Sequence, residues 1–216
     1  MTETAATEPA QAPSAGARGK LLALGLAALL LTIAPTLVRG VLAPPRPQVY
    51  GHLPSFHLVN EQGAPVTDAA LLGHVTVVDF IFTRCPSSCP RLTARMGELQ
   101  DRLARSKSGA RLVSITVDPE NDTPPVLAAY ATQAGADRAR WTFVTGPVDD
   151  VMRAVVLGFK VSAAKVATGA NDYDVTHGNW FVLTDRTGAI RGYYPTEEAA
   201  DFDRLVSDTE RLEREP

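Results

Sequence analysis

At 216 residues the chain has room for one domain or at most two, and its 45% hydrophobic and 21% charged residues belong to a chain that buries a core. A formal net charge of −3, with no basic surplus, argues against nucleic acid as the main partner, because phosphate binding needs a concentrated Lys/Arg surface. Two cysteines are too few for a disulfide-stapled scaffold, so a pair as close as Cys85 and Cys89 reads as a working pair.

Residues 1–19 are rich in Ala, Thr, Pro, Gly and Glu without an apolar period, and they read as a disordered cytoplasmic tail. Glu3 and Glu8 argue against a mitochondrial transit peptide, which is Arg-rich and poor in acids. Residues 21–38 are uncharged and lie between Lys20 and Arg39. The run is at the short end of a bilayer span, and Pro35 falls near its far end, where a kink is tolerated. Residues 20–39 are therefore read as a transmembrane anchor. Arg18 and Lys20 place its amino-terminal side in the cytoplasm, which puts the rest of the chain on the periplasmic side of a bacterial inner membrane. A cleaved signal peptide is the competing reading; no clean cleavage site precedes Pro44, and either reading exports the main domain. Residues 40–48, with Pro44, Pro45 and Pro47, read as a semi-rigid tether.

Residues 49–216 then read as one α/β domain. SFHLVNEQG is a short strand into a turn at Gly63. HVTVVDFIF (74–82) is an apolar, β-branched run, the pattern of a strand covered on both faces. Leu92, Met96, Leu99 and Leu103 then form a helical stripe. RLVSITVD (111–118) is the next strand. Thr123 followed by Pro124 is an N-cap with proline at the first helical position, opening a helix to about Gln133. WTFVTG is a strand. Pro147 starts a helix with Val151, Met152, Val155 and Val156 on one side. NWFVLTD, TG and AIRGYYP make a β-hairpin around Thr187 and Gly188, and a last helix carries Phe202, Leu205, Val206 and Leu212. This order predicts a mixed, mostly parallel central sheet flanked by helices.

Cys85 and Cys89 sit where the central strand turns into a helix, each followed by a proline, Pro86 and Pro90. Helix N–H groups and the positive dipole end favour thiolate. Residues four apart share a helix face, so both sulfurs can serve one spot. Pro86 suits a first turn, and Pro90 marks a second initiating turn or a kink. The spacing is C-x-x-x-C, not the C-x-x-C of disulfide oxidoreductases or zinc knuckles. It leaves room for one metal between the sulfurs and does not exclude a disulfide. Structural zinc wants four tetrahedral ligands. Two thiolates and one imidazole suit copper, because Cu(I) takes few, soft ligands. Of the four histidines, His52 and His57 lie by the tether and the first strand, and His74 lies at the opposite end of the central strand. His177 precedes a strand that can run beside the central one, and sites in such sheets gather where loops meet at one end. His177 is the placement that fits best, against the plain alternative of a solvated loop histidine.

FIFTRCPSSCP, then ITVDPENDTP, then one late histidine before FVLTDRTG resembles the Sco/SenC copper proteins over about residues 50 to 195. The resemblance implies a thioredoxin-like fold with copper, Cu(I) or Cu(II), held by Cys85, Cys89 and His177. It implies delivery of copper to the dinuclear centre of a cytochrome c oxidase subunit, or keeping that centre's cysteines reduced. The family often reads V-D-H-S at its histidine; here Val175-Thr176-His177-Gly178 lacks the acid beside the ligand. Asp118 in VDPE reads either as a turn residue or as a neighbour of the site. A thiol–disulfide oxidoreductase using Cys85 and Cys89 is the second reading, although the loop that faces the thiols presents Thr176-His177 where such enzymes usually carry a cis-proline. TRCPSSCP does not match the P-x-x-x-T/S-x-x-C of peroxiredoxins. Outside the cytoplasm the pair can oxidise, so an exported thioredoxin-like reductant, or another copper chaperone, is an expected partner.

Overall fold

Strand β4 (Thr76–Ile81) is buried at all of its positions, as a β-branched run covered on both faces requires. In the computed structural model, which describes residues 48–85, 88–161, 163–167, 173–177 and 179–215, this strand lies at the middle of an eight-stranded sheet. The other strands are β1 (Gly51–His52), β2 (His57–Asn60), β3 (Pro65–Thr67), β5 (Arg111–Thr116), β6 (Trp141–Thr145), β9 (Trp180–Thr184) and β10 (Ala189–Pro195), in the order β1-β10-β9-β4-β5-β6-β2-β3. Strands β7 (Ala163–Ala167) and β8 (Tyr173–His177) pair only with each other.

The sheet is mixed but not mostly parallel, which corrects the reading from element order. Among the described residues only β4–β5 and β5–β6 pair parallel. The β9–β10 hairpin joins β4 antiparallel, and the β2–β3 hairpin joins β6 antiparallel. Alternating β and α units built only the three-stranded centre; both flanks come from hairpins, which always bring antiparallel pairs.

Helix α1 (Ser88–Arg105) buries Cys89, Leu92, Met96, Leu99 and Leu103, the predicted stripe with one cysteine added. It lies on β4 and on α4 (Ala199–Arg214). Arg95 and Arg102 stand 5.1 and 5.0 Å over the Phe202 ring, and Arg102 also reaches Asp203 at 2.6 Å. Helix α2 (Pro124–Gln133) starts where Thr123-Pro124 predicts, although the Thr123 hydroxyl makes no capping bond. Gly188, at φ +76, supplies the left-handed residue of the β9–β10 turn. The Arg186 guanidinium closes α4 by donating to the Leu212, Glu213 and Glu215 carbonyls at 2.7–2.9 Å.

Helix α3 (Val148–Met152) passes into a π-turn over Arg153–Gly158. The wider turn rotates the following side chains. Val151 and Val155 are buried as expected, but Val156 faces outward, 41% exposed. The turn ends at Gly158, where an added Cβ would fall inside the contact shell of the rigid Pro54 ring. Gly158→Ala is expected to destabilise the domain by about 1–3 kcal/mol in chemical denaturation; an unchanged midpoint would show that Pro54 yields.

The tail at 1–19, the anchor at 20–39 and the tether up to residue 47 lie outside the described residues. Among the described residues no helix is long and apolar enough to cross a membrane.

Candidate metal centre

The parallel ladder of β4 and β5 ends at Ile81 and Thr116, with Val117 N–H donating to the Ile81 carbonyl at 2.8 Å. Beyond that rung the chain turns through residues 82–85, closed by Cys85 N–H to the Phe82 carbonyl at 3.2 Å. Cys85 is 6% exposed and Cys89 1%. The thiols are not joined in a disulfide. Cys89, in the first turn of α1, donates its backbone N–H to Cys85 Sγ at 3.4 Å. Cys85 stands just before α1 and Cys89 in its first turn, and a helix amide points at the Cys85 sulfur, an arrangement that favours negative charge there.

The helix end does not lower the second thiol, contrary to the expectation for a helix N-terminus. Burial pushes Cys89 well above the ordinary thiol range. A backbone hydrogen bond from Phe82 works against this, while Cys85 and Asp79 add to it. Desolvation outweighs the amides because the sulfur lies under the turn, out of water.

His177 is the last residue of β8, in register with Ala163 of β7, so it ends a strand where a loop was expected. Three residues later β9 begins at Trp180. Strand β9 runs antiparallel to β4 with Val78 opposite Val182, so it starts at the end of the sheet where β4 stops. The cysteine turn follows the end of β4, and β9, which begins three residues after His177, starts at that same end of the sheet. The His177 side chain lies outside what the structure describes, and among the described side chains no three His, Cys, Asp or Glu residues gather to hold a metal. His74 precedes β4 at the opposite end, His52 pairs with Ala189 on β1, and His57 is exposed on β2.

A polar latch fixes the cysteine turn. Asp122, fully buried, accepts Thr83 N–H at 3.1 Å, Thr83 Oγ1–H at 2.5 Å and Thr116 Oγ1–H at 2.5 Å. Asp118, also fully buried, accepts from Arg84 at 3.2 Å, and both of its carboxyl oxygens accept from the Asn121 amide at 3.0 Å. Its carbonyl accepts Asn121 and Asp122 N–H at 3.1 and 2.9 Å. Asp118 is thus both a turn residue and, through Arg84, a neighbour of the cysteine turn. The VDPENDTP string was legible as a turn, but the partner of its last acid was not, because Thr83 lies 39 residues away.

Two further groups escaped the sequence reading. Asp79 sits inside the apolar run of β4 with zero exposure, and among the described residues neither carboxyl oxygen has a well-formed hydrogen bond, the Ser114 hydroxyl offering only a weak one. Burial raises it to about 7, an effect only partly offset by Ser114, its register partner on β5. Tyr130 on α2 meets Thr93 Oγ1 at 2.8 Å and is pushed up to about 12, mainly by burial, with Cys89 and Asp79 adding to it. Thr83, Pro90, Thr93 and Tyr130 line a cleft of about 400 Å³. A larger one, about 590 Å³, lies on the far side of α1 against Asn179, Thr196 and Glu197, away from Thr83.

Known proteins share this geometry. The SCO1/SenC family model matches residues 46–213. The SCO1 protein homolog of Bacillus subtilis is 33% identical over 153 residues, 71% of this chain and 78% of that protein. BsSco, whose structure is described as revealing a disulfide switch in a member of the Sco family of cytochrome c oxidase assembly proteins, aligns with a TM-score of 0.69 at 28% identity, over 80% of this chain and 100% of that one. Copper-bound ScoI of Bradyrhizobium japonicum aligns with a TM-score of 0.63 at 25% identity, over 76% and 98%. A family match over residues 46–213, which takes in both cysteines, makes this chain a member of the SCO1/SenC family.

Proposed function

We propose that the chain is a copper chaperone that binds copper through Cys85, Cys89 and His177 and helps metallate the dinuclear copper centre of a cytochrome c oxidase subunit. The observation that carries this reading is two buried thiols four residues apart, one in the turn after β4 and one in the first turn of α1, with Cys89 N–H reaching Cys85 Sγ at 3.4 Å. The donor set fits the cargo: thiolate and imidazole are soft to borderline ligands, and Cu(I) accepts three of them. Copper-bound ScoI adds support by likeness. An anchor at 20–39 would hold the domain on the periplasmic face, where the oxidase centre is assembled.

The test is copper affinity of the full-length chain in detergent, by competition with a Cu(I) chelator. His177→Ala is expected to weaken binding by at least about tenfold. Binding as tight as wild type would remove His177 from the site. Delivery itself is tested by transfer of copper to an apo oxidase copper-centre domain.

The second reading is thiol–disulfide exchange with the oxidase's ligand cysteines. The Cys89 N–H to Cys85 Sγ contact favours it, because it stabilises the thiolate that such exchange uses. The disulfide switch described for BsSco adds support. Reduction of a client disulfide, unaffected by His177→Ala, would rank this reading first.

A further inference from the structure

We propose that Asp122 is a positioning residue for the copper site, aiming Cys85 by latching its turn to the end of β5. This rests on the copper reading of Cys85, Cys89 and His177. The last backbone rung between β4 and β5 is Val117 N–H to the Ile81 carbonyl. Past it the two chains diverge, one into residues 83–85 and the other into residues 118–122. Asp122 spans the gap. Its Oδ2 takes the Thr83 amide at 3.1 Å and the Thr116 hydroxyl at 2.5 Å, and its Oδ1 takes the Thr83 hydroxyl at 2.5 Å. Thr116 in turn accepts Asp118 N–H at 2.9 Å, so one carboxyl orders both diverging loops.

Two features make this more than ordinary loop packing. The carboxyl has zero exposure, so these bonds exchange with no water. Two of the three bonds go to Thr83, which stands two residues before Cys85 and leaves its turn little freedom to rotate. A metal site needs its ligands held within about 0.5 Å and 10–20° of the productive geometry, and directional hydrogen bonds to the supporting backbone provide that. An apolar residue of similar size would fill the space but leave the Thr83 amide and hydroxyl to find other orientations.

The geometry separates hydrogen bonding from charge. In Asp122→Asn the remaining oxygen can keep the Thr83 amide and the Thr116 hydroxyl, while the new NH₂ donates to a turned Thr83 hydroxyl. Asp122→Asn is therefore expected to bind copper within about threefold of wild type, and Asp122→Ala to lose about 10–100-fold. Thr83→Ser should resemble wild type and Thr83→Val should follow Asp122→Ala, more weakly.

The experiment measures Cu(I) affinity by chelator competition and the thiolate-to-Cu(II) charge-transfer spectrum of the full-length chain. Gly158→Ala serves as a control for global destabilisation, and His177→Ala and Cys85→Ser as controls for the copper site itself. Support is a loss of affinity and a changed spectrum in Asp122→Ala and Thr83→Val, with rescue by Asp122→Asn. If Asp122→Ala does not fold, Thr83→Val and Asp122→Asn carry the test. The proposal is overturned if the latch variants bind within about twofold of wild type with an unchanged spectrum, if Asp122→Asn is as poor as Asp122→Ala, or if Gly158→Ala loses as much affinity. Failure of the copper reading looks different: Cys85→Ser and His177→Ala would then bind as wild type does.

Discussion

Asp79→Asn stabilises the metal-free domain by about 2–3 kcal/mol at pH 8, and the gain shrinks towards zero as the pH falls to 4. The reason is a carboxyl placed where water cannot reach it. Asp79 is fully buried on the central strand, and among the described residues its oxygens find no well-formed hydrogen bond. Its pKa is raised from 3.8 to about 7, with burial as the largest cause. The sign depends on which state holds the proton. The folded chain keeps it up to about pH 7, while the unfolded chain releases it near 4. Folding is therefore unpenalised by this group below pH 4, loses stability as the pH rises from 4 to 7, and carries the whole penalty above 7. Each pKa unit is worth about 1.4 kcal/mol, so the full penalty is about 4 kcal/mol, of which an asparagine, still polar and poorly paired, recovers only part.

Other carboxylates run the opposite way. At Asp185 burial pushes upward, but the bonds from Thr187 and Arg191 outweigh it and hold the group below its ordinary value. Asp185 therefore contributes stability at neutral pH that is lost in acid. The difference between wild type and variant cancels such groups, so urea denaturation of both proteins at pH 4.5 and pH 8 isolates Asp79. A gain of equal size at both values would show that the carboxyl is not what titrates. Because Asp79 also helps hold the Cys89 proton in place, the same variant is expected to make that thiol more acidic and faster to alkylate. The destabilising acid thus sits where it tunes a site residue, in keeping with strained groups clustering at function.

Much of this fold was written in local signals. The stripe from Leu92 to Leu103, the Thr123-Pro124 helix start and the hairpin turn at Thr187 and Gly188 all appear where the sequence put them. Each depends on residues within a few positions of one another. What escaped depends on distant partners. The β7–β8 pair has no strong period, and it places His177 on a strand. The balance of parallel and antiparallel pairs depends on which edge each hairpin chooses, and element order does not encode that choice. The π-turn that exposes Val156 shifts the helical period by one residue, invisible to a pattern read at 3.6. The closeness of Cys85 and Cys89 around the start of α1 was legible from their spacing. Their electrostatics were not, since the helix-end argument omitted burial, which dominates at Cys89. Asp79 was hidden because one acid in VTVVDFIF barely alters an apolar run.

With copper on the proposed ligands, oxidation of the Cys85–Cys89 pair is expected to abolish copper binding and reduction to restore it. Forming the disulfide removes two protons and two electrons from the thiols, and the electrons pass to the oxidant. No thiolate is left to ligate, and the imidazole proposed as the third ligand would be left alone on the metal. The two residues are neighbours in the fold, with Cys89 N–H reaching Cys85 Sγ at 3.4 Å. In the reduced protein copper must displace thiol protons, and burial holds the Cys89 proton far above its usual range. At pH 6.5 to 8.5 that thiol is protonated in the metal-free state. Raising the pH weakens the competition from protons, so copper affinity should climb about tenfold per pH unit for each thiol proton displaced. Chelator competition at pH 6.5, 7.5 and 8.5, on reduced and oxidised full-length protein, checks both halves. Copper retained by the oxidised protein would mean that ligands other than the two sulfurs suffice. A pH-independent affinity would mean that Cys89 binds without losing its proton, and hence that it is not a thiolate ligand.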